Sequence, residues 1–198
     1  MAKSTGRFDW SGGHPALDFV NTLDERPLPN PIENLVSYPD LIGFAELGGL
    51  IEPAQARVLR GLSGVAPARA AQRARKLRED LFEALTALRR RKAIPAATLR
   101  RITAAIRGAH AARMLSMSPG RSFACHSWGS PRAVDVPLHA CALAIEDLLT
   151  RADRNRIRKC GAPDCAVYFL DRSKARRRHW CSMTNCGNRE KQRRWRAS

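Results

Sequence analysis

The chain has 198 residues, with 35 Lys+Arg against 18 Asp+Glu, a formal net charge of +17 and a pI near 11.0. Apolar residues, at 44%, suffice for a packed core and exclude wholesale disorder; no stretch approaches the roughly 18 to 20 uncharged apolar residues of a membrane span. Met1 to Gly13 carry no apolar signal core, so a cytoplasmic location is expected, and the excess charge points to a polyanionic partner rather than a small neutral substrate.

In chain order, Gly12-Gly13 marks a turn, and Ala16, Leu17, Phe19, Val20 and Leu23 then recur at helical spacing. Pro27, Pro29 and Pro31 interrupt regular structure and predict a loop. Pro39 to Leu47 and Pro53 to Leu62 read as short helices on either side of Gly48-Gly49. A long helix is expected from Pro67 to Arg91, where Ala74, Leu77, Leu81, Leu85 and Leu88 form the apolar stripe. Another runs from Pro95 to about Met114, with Leu99, Ile102, Ile106 and Ala109 on one side. The run Arg89-Arg90-Arg91-Lys92 suits a helix C-terminus, where cations oppose the macrodipole.

From Arg121 to Val136 the pattern alternates, with Phe123, Cys125 and Ser127 on one face and Ala124, His126 and Trp128 on the other. Gly129-Ser130-Pro131 would turn this strand back onto Val134 and Val136, a β-hairpin. Leu138, Cys141, Ala142, Ile145, Leu148 and Leu149 then form a last apolar helical stripe. No phosphate loop, dinucleotide-type glycine motif, nucleophile elbow or metalloprotease histidine pair occurs. No catalytic residues are assigned, and the chain is not expected to be an enzyme.

Charge separates the chain into parts. Residues 1–65 hold 5 basic and 8 acidic residues, 66–150 hold 15 and 6, and 151–198 hold 15 and 4. The expected domains are therefore 1–150, mainly helical, and 151–198, small and strongly basic.

Six cysteines occur, at 125, 141, 160, 165, 181 and 186. Cys141 falls on an apolar helical stripe and Cys125 on one face of the hairpin, and both read as small buried hydrophobes, the alternative being a bond between them. Cys160, Cys165, Cys181 and Cys186 form two C-x4-C pairs, the spacing of a closed four-thiolate Zn²⁺ site with a structural ion, the alternatives being disulfides or an iron–sulfur cluster. Nearby lysines and arginines favour the thiolates and offset the charge of the centre. Val167 to Leu170 is β-prone, Asp171 to Lys174 is turn-like, and Arg176 to Trp180 leads back, so a hairpin is expected between the pairs. The run after Cys186 is helix-compatible. A knuckle, a hairpin and a helix carrying the last ligand make a treble clef. The fold class is thus α+β, a mostly helical N-terminal domain with a β-hairpin followed by a small treble-clef zinc finger.

Arg172, Lys174, Arg176, Arg177 and Arg178 precede the second cysteine pair, and Arg189, Lys191, Arg193, Arg194 and Arg196 follow it. On a helix Arg189, Arg193 and Arg196 share one face, with Lys191 and Arg194 beside it, a comb suited to a duplex groove, while the hairpin arginines suit flanking phosphates. Trp195 is expected to pack inward, the alternative being stacking on a base.

Cys186-Gly187-Asn188-Arg189, approached by Phe169-Leu170-Asp171-Arg172-Ser173 and Arg177-Arg178-His179-Trp180-Cys181-Ser182-Met183, resembles the CGNR zinc finger. Gly12-Gly13 with Leu17-Asp18-Phe19-Val20-Asn21-Thr22 is similar to the ABATE domain that precedes it in such proteins. The resemblance implies a bacterial, stress-linked transcription regulator whose treble clef binds DNA at the nucleoid and whose first domain binds a small ligand. His14, Asn21, Arg26 and Trp128 are the candidate ligand residues; the polar set His14, Asp18, Asn21, Asp24 and Arg26 is more commonly structural, with His14 before Pro15 a turn or cap residue and Asn21-Thr22 a helix end. His179 departs from the arginine common in the family and is expected at a phosphate or in solvent rather than on the metal. RNA binding, a protein-interaction zinc module, and an enzyme tethered to nucleic acid are the competing readings.

Overall fold

The computed structural model describes residues 6–117, 123–151 and 153–197. The elements begin with α1 (Pro15–Val20), the two-residue strands β1 (Leu23–Asp24) and β2 (Ile32–Glu33), α2 (Tyr38–Leu47) and α3 (Pro53–Arg60). There follow α4 (Val65–Arg89), α5 (Ala96–Ala111), β3 (Arg113–Met117), β4 (Ala124–Trp128) and α6 (Val136–Thr150). After a 3₁₀ turn come β5 (Ile157–Lys159), β6 (Tyr168–Leu170), a π-helical turn (Met183–Gly187) and α7 (Asn188–Ala197). The helical first part followed by a small four-cysteine module is the α+β arrangement expected.

By internal contacts the chain forms two compact units, Ser37–Glu146, and Met1–Val36 together with Asp147–Ser198. The second unit joins the two ends of the sequence, so compact units and sequence segments divide the chain differently.

In the unit Ser37–Glu146, α4 forms where its apolar residues recur every three or four positions, with Pro67 tolerated in the first turn. Ala70, Ala74, Leu77, Leu81 and Leu85 are buried, and α4 packs against both α2 and α5. The helix α2 starts at a capping box, where Ser37 and Asp40 satisfy first-turn N–H groups. Leu41, Ile42, Phe44, Leu59 and Ile102 are fully buried, and removing one large side chain of this kind would cost about 2–5 kcal/mol.

The hairpin here differs from the expected one. The strand over Ala124–Trp128 forms, but it pairs antiparallel with Arg113–Met117, from Arg113↔Trp128 to Met117↔Ala124. The segment expected to end the preceding helix is therefore a strand, and α5 stops at Ala111. Val136, expected on the return strand, instead opens α6. Alternation identifies a strand but not its partner, and Met114 and Leu115 suit either period. Arg121, where that hairpin was expected to begin, lies outside the described residues, as do Met1 to Thr5.

In the other unit β6 is the central element. It pairs antiparallel with β5, with register Ile157↔Leu170, Arg158↔Phe169 and Lys159↔Tyr168. This corrects a second expectation: the hairpin partner lies before the first cysteine pair, and residues 174–180 form no strand. All three β6 residues are buried because both faces are covered. Phe169 joins Val167 and the four cysteines in one cluster with Trp180 packed against it, whereas Leu170 points back towards Gly13.

The outer edge of β6 is closed by the N-terminal segment. Leu170 N–H donates to the Gly12 carbonyl at 2.8 Å, and the Asn21 side chain bonds both backbone groups of Tyr168. An open strand edge is thereby completed without another strand. Gly12 is required at the turn, since a Cβ there would lie 2.7 Å from Asp18 Oδ1 and 2.8 Å from Leu17 Cβ. The loop carrying Pro27, Pro29 and Pro31 is bridged at its base by Leu23↔Glu33 and Asp24↔Ile32.

Candidate metal centre and nucleic-acid interface

Cys160 follows β5, and Cys165 sits one turn later, where its N–H donates to the Ala162 carbonyl at 3.1 Å. The Cys160 N–H donates to the Val167 carbonyl at 2.8 Å and closes the knuckle. Cys181 ends the loop from β6, and Cys186 sits in the π-helical turn, where Gly187 N–H donates to Ser182 O at 3.0 Å. The four Sγ atoms lie within 4.8 Å of one another and all four residues are buried.

These residues fit zinc. A tetrahedral ion with Zn–S near 2.3 Å sets its sulfurs about 3.8 Å apart, and Cys165–Cys181 and Cys181–Cys186 are at 3.9 and 3.5 Å. Those separations exclude a disulfide, whose sulfurs lie about 2.05 Å apart. The thiols titrate in opposite directions. Thiol hydrogen bonds, first from Cys165, hold Cys160 well below the ordinary thiol range, and Cys160 in turn is the first cause pushing Cys165 and Cys181 up. A cation among the four sulfurs is what would let all of them ionise together. Cys160, Cys165, Cys181 and Cys186 are positioned to bind one zinc ion, and with four protein ligands the site is closed and structural. Cys125 and Cys141 are free thiols elsewhere; Cys141 is buried as expected, and burial pushes its thiol far up, whereas Cys125, expected to be buried, is half-exposed on the strand β4.

The residues around the cluster orient it. The Cys181 N–H donates to Cys160 Sγ at 3.4 Å, and Arg189 Nη2 donates to Cys186 Sγ at 3.2 Å. Burial opposes the Arg189 cation, but the Cys186 and Asp164 charges outweigh it and raise its pKa. Gly187 lies beneath Trp180, where a Cβ would come within 3.0 Å of Met183 Sδ and 3.2 Å of Trp180 Cδ1. Asp171, fully buried, accepts from the Ser173 N–H and hydroxyl and from the Arg178 N–H, and these bonds, the Ser173 hydroxyl first, lower its pKa. The sequence places Asp171 only in a turn and gives Asp164 no role; an acid within a basic tail is the signal for both.

The ten candidate nucleic-acid residues divide into two groups. Arg178 lies over the Phe169 ring at 4.5 Å and donates to the carbonyls of Trp180 and Cys181. Arg189 and Arg193 converge on Asp164, Arg194 lies 3.9 Å from Glu190, and Arg172 donates to Gly13 O at 2.7 Å. Among the described residues, the side chains of Lys174, Arg176, Arg177, Lys191 and Arg196 make no hydrogen bond or ion pair. The comb expected from Arg189, Arg193 and Arg196 is thus partly turned inward. Trp195, expected to pack, is 81% exposed beside Arg194. His179 is exposed and packs its ring edge-on against Trp180.

The candidate ligand residues are divided as well. His14 caps α1 through Nδ1 and bonds Asp147 through Nε2 at 2.8 Å; that bond is the first cause holding the Asp147 carboxyl below its ordinary range. Asn21 is committed to Tyr168, and Arg26 donates to Val20 O at 3.3 Å. Trp128 belongs to the other compact unit, where it faces the His139 ring and Arg113. Asp18, buried against the Gly12 N–H, has its pKa pushed up to about 7, chiefly by loss of solvent.

A closed four-thiolate centre held between a hairpin and a helix, with unpaired cations beside it, defines a zinc-finger protein. The chain belongs to the ABATE family, described as "Putative stress-induced transcription regulator", whose model matches residues 13–152. Residues 156–198 match the CGNR zinc finger. No curated protein matches the chain. Neither matching family is an enzyme family, and no helix of the described residues is long and apolar enough to cross a membrane.

Proposed function

We propose that this protein is a DNA-binding transcription regulator, acting at the nucleoid, whose zinc module grips the duplex and whose N-terminal region responds to a small ligand. The observation that carries it is the division among the cations. Arg178 and Arg189 hold the metal module together, while the side chains of Lys174, Arg176, Arg177, Lys191 and Arg196 have no partner among the described residues. Cations left unpaired on a rigid scaffold suit phosphates, and the outward Arg194 and exposed Trp195 suit a groove or a base. The zinc ion contributes folding free energy, on the order of 10 kcal/mol for structural sites, and no chemistry of its own.

Titration of the zinc-loaded chain with duplex DNA, structured RNA and heparin at several salt concentrations tests this. Preference for one duplex sequence over heparin at equal ionic strength supports the regulator. Equal or stronger binding to RNA assigns the module to RNA instead, and no salt-dependent binding to any polyanion leaves a protein-interaction role.

A further inference from the structure

Within the unit Ser37–Glu146, one stripe from each of α4, α5 and α6 lines a groove of about 340 Å³, near the lower limit for small-molecule sites. The space exists because, beyond Arg101, α5 presents the small residues Ala104, Ala105 and Gly108 there, while Leu77 and Leu138 supply apolar walls. Two carboxylates at the groove are already matched: Asp80 with Arg101, at 2.8 and 2.6 Å, and Asp135 with Arg73. Two polar groups are not. Among the described residues, the Lys76 ammonium makes no ion pair or hydrogen bond and the buried Nδ1 of His139 has no hydrogen-bond partner. Burial, the first cause, lowers the His139 pKa despite Asp135, so the ring is neutral at pH 7 and its Nδ1 can donate as one tautomer. The ring is held between Gly108, whose Cβ would lie 3.6 Å from Nε2, and Trp128.

We propose that this groove binds a small organic monocarboxylate, its carboxylate on Lys76 and His139 Nδ1 and its apolar body over Ala104, Ala105 and Leu138. The assignment rests on reading the N-terminal region as a ligand sensor, and it names the ligand class and the site. A single spare cation matches one negative charge. The matched pairs Arg101–Asp80 and Arg73–Asp135 leave no excess for a dianion, and the apolar walls disfavour an inorganic one.

Calorimetric titration of the zinc-loaded full chain with benzoate, octanoate, benzamide and inorganic phosphate tests the site. Saturable binding of a carboxylate is expected, with benzamide and phosphate each at least about tenfold weaker. Lys76→Met weakens benzoate by a similar factor without moving the melting temperature of the free protein, and Ala105→Leu fills the groove and abolishes binding. No saturable carboxylate binding up to about 10 mM, benzamide or phosphate equal to benzoate, or affinity unchanged in Lys76→Met overturns the proposal. Duplex DNA binding measured in parallel separates the two readings. DNA binding without carboxylate binding refutes the groove alone, and the reverse refutes the DNA-binding role alone.

Discussion

The side-chain amide of Asn21 closes on the backbone of Tyr168 with both its groups: Nδ2 donates to the Tyr168 carbonyl and Oδ1 accepts from its N–H, each at 2.9 Å. Residues 147 apart in sequence are thereby joined at the edge of the strand that feeds the zinc cluster. Asn21→Ala leaves two buried backbone groups unpaired and is expected to cost about 2–4 kcal/mol. Denaturant unfolding of the zinc-loaded chain measures it. A loss within 0.5 kcal/mol of zero, the range of ordinary surface changes, would show that the clamp is dispensable.

Zinc removal should loosen more than the cysteine module. Gly12, Asn21 and Arg172 tie the first helix to β6 and its loop, so chelation should raise amide exchange over 14–22 as well as over 157–190. Re-addition of zinc should restore both. Exchange mass spectrometry reads this, and protection of 14–22 untouched by chelation counts against a shared unit.

Asp18 gives stability a pH dependence of definite sign. Its pKa in the folded chain is about 7, above the unfolded value of 3.8, so the folded state binds the proton more tightly. Its contribution is therefore greatest at low pH and is lost as pH rises from about 4 to 7, by up to roughly 4 kcal/mol. Asp147 and Asp171 run the other way, since their pKa values are depressed and their contribution is lost as pH falls through them. Asp18→Asn keeps an acceptor for the Gly12 N–H and should gain on the parent protein between pH 5 and pH 8. A melting-temperature difference that is flat across that range would contradict the assignment.

The unpaired and the engaged cations should behave differently when removed. Joint substitution of Lys174, Arg176 and Arg177 by Ala should leave zinc content and melting temperature unchanged. It should weaken binding to every duplex alike and flatten the slope of log K against log[salt] by about 3. Arg189→Ala, which strips Cys186 Sγ and Asp164 of their cation, should instead lower zinc retention. Elemental analysis beside salt-titrated anisotropy separates the two; the same loss from both variants would remove the distinction.

The metal site was legible in the sequence because chelation is local: four cysteines in two short pairs dictate one another's position. The long helices were legible for the same reason, since α4 and α5 write their apolar stripes every three or four residues. Strand pairing was not legible, because Ala124–Trp128 looks the same whether it pairs forwards or backwards. Nor could spacing separate Arg189 from Lys191, a difference made by Asp164 across the knuckle. His14 before Pro15 is legible as a cap, which its Nδ1 makes at α1, but its second partner Asp147, and the Tyr168 backbone that holds Asn21, lie far along the chain.

The central claim is that the zinc-clamped module is a cationic surface for DNA. Fluorescence anisotropy of the full chain on duplex DNA, across a salt series and before and after chelation and zinc re-addition, tests it most directly. Affinity should fall steeply with salt, disappear when zinc is removed and return with the metal. Affinity that ignores salt, or that survives without zinc, would contradict it.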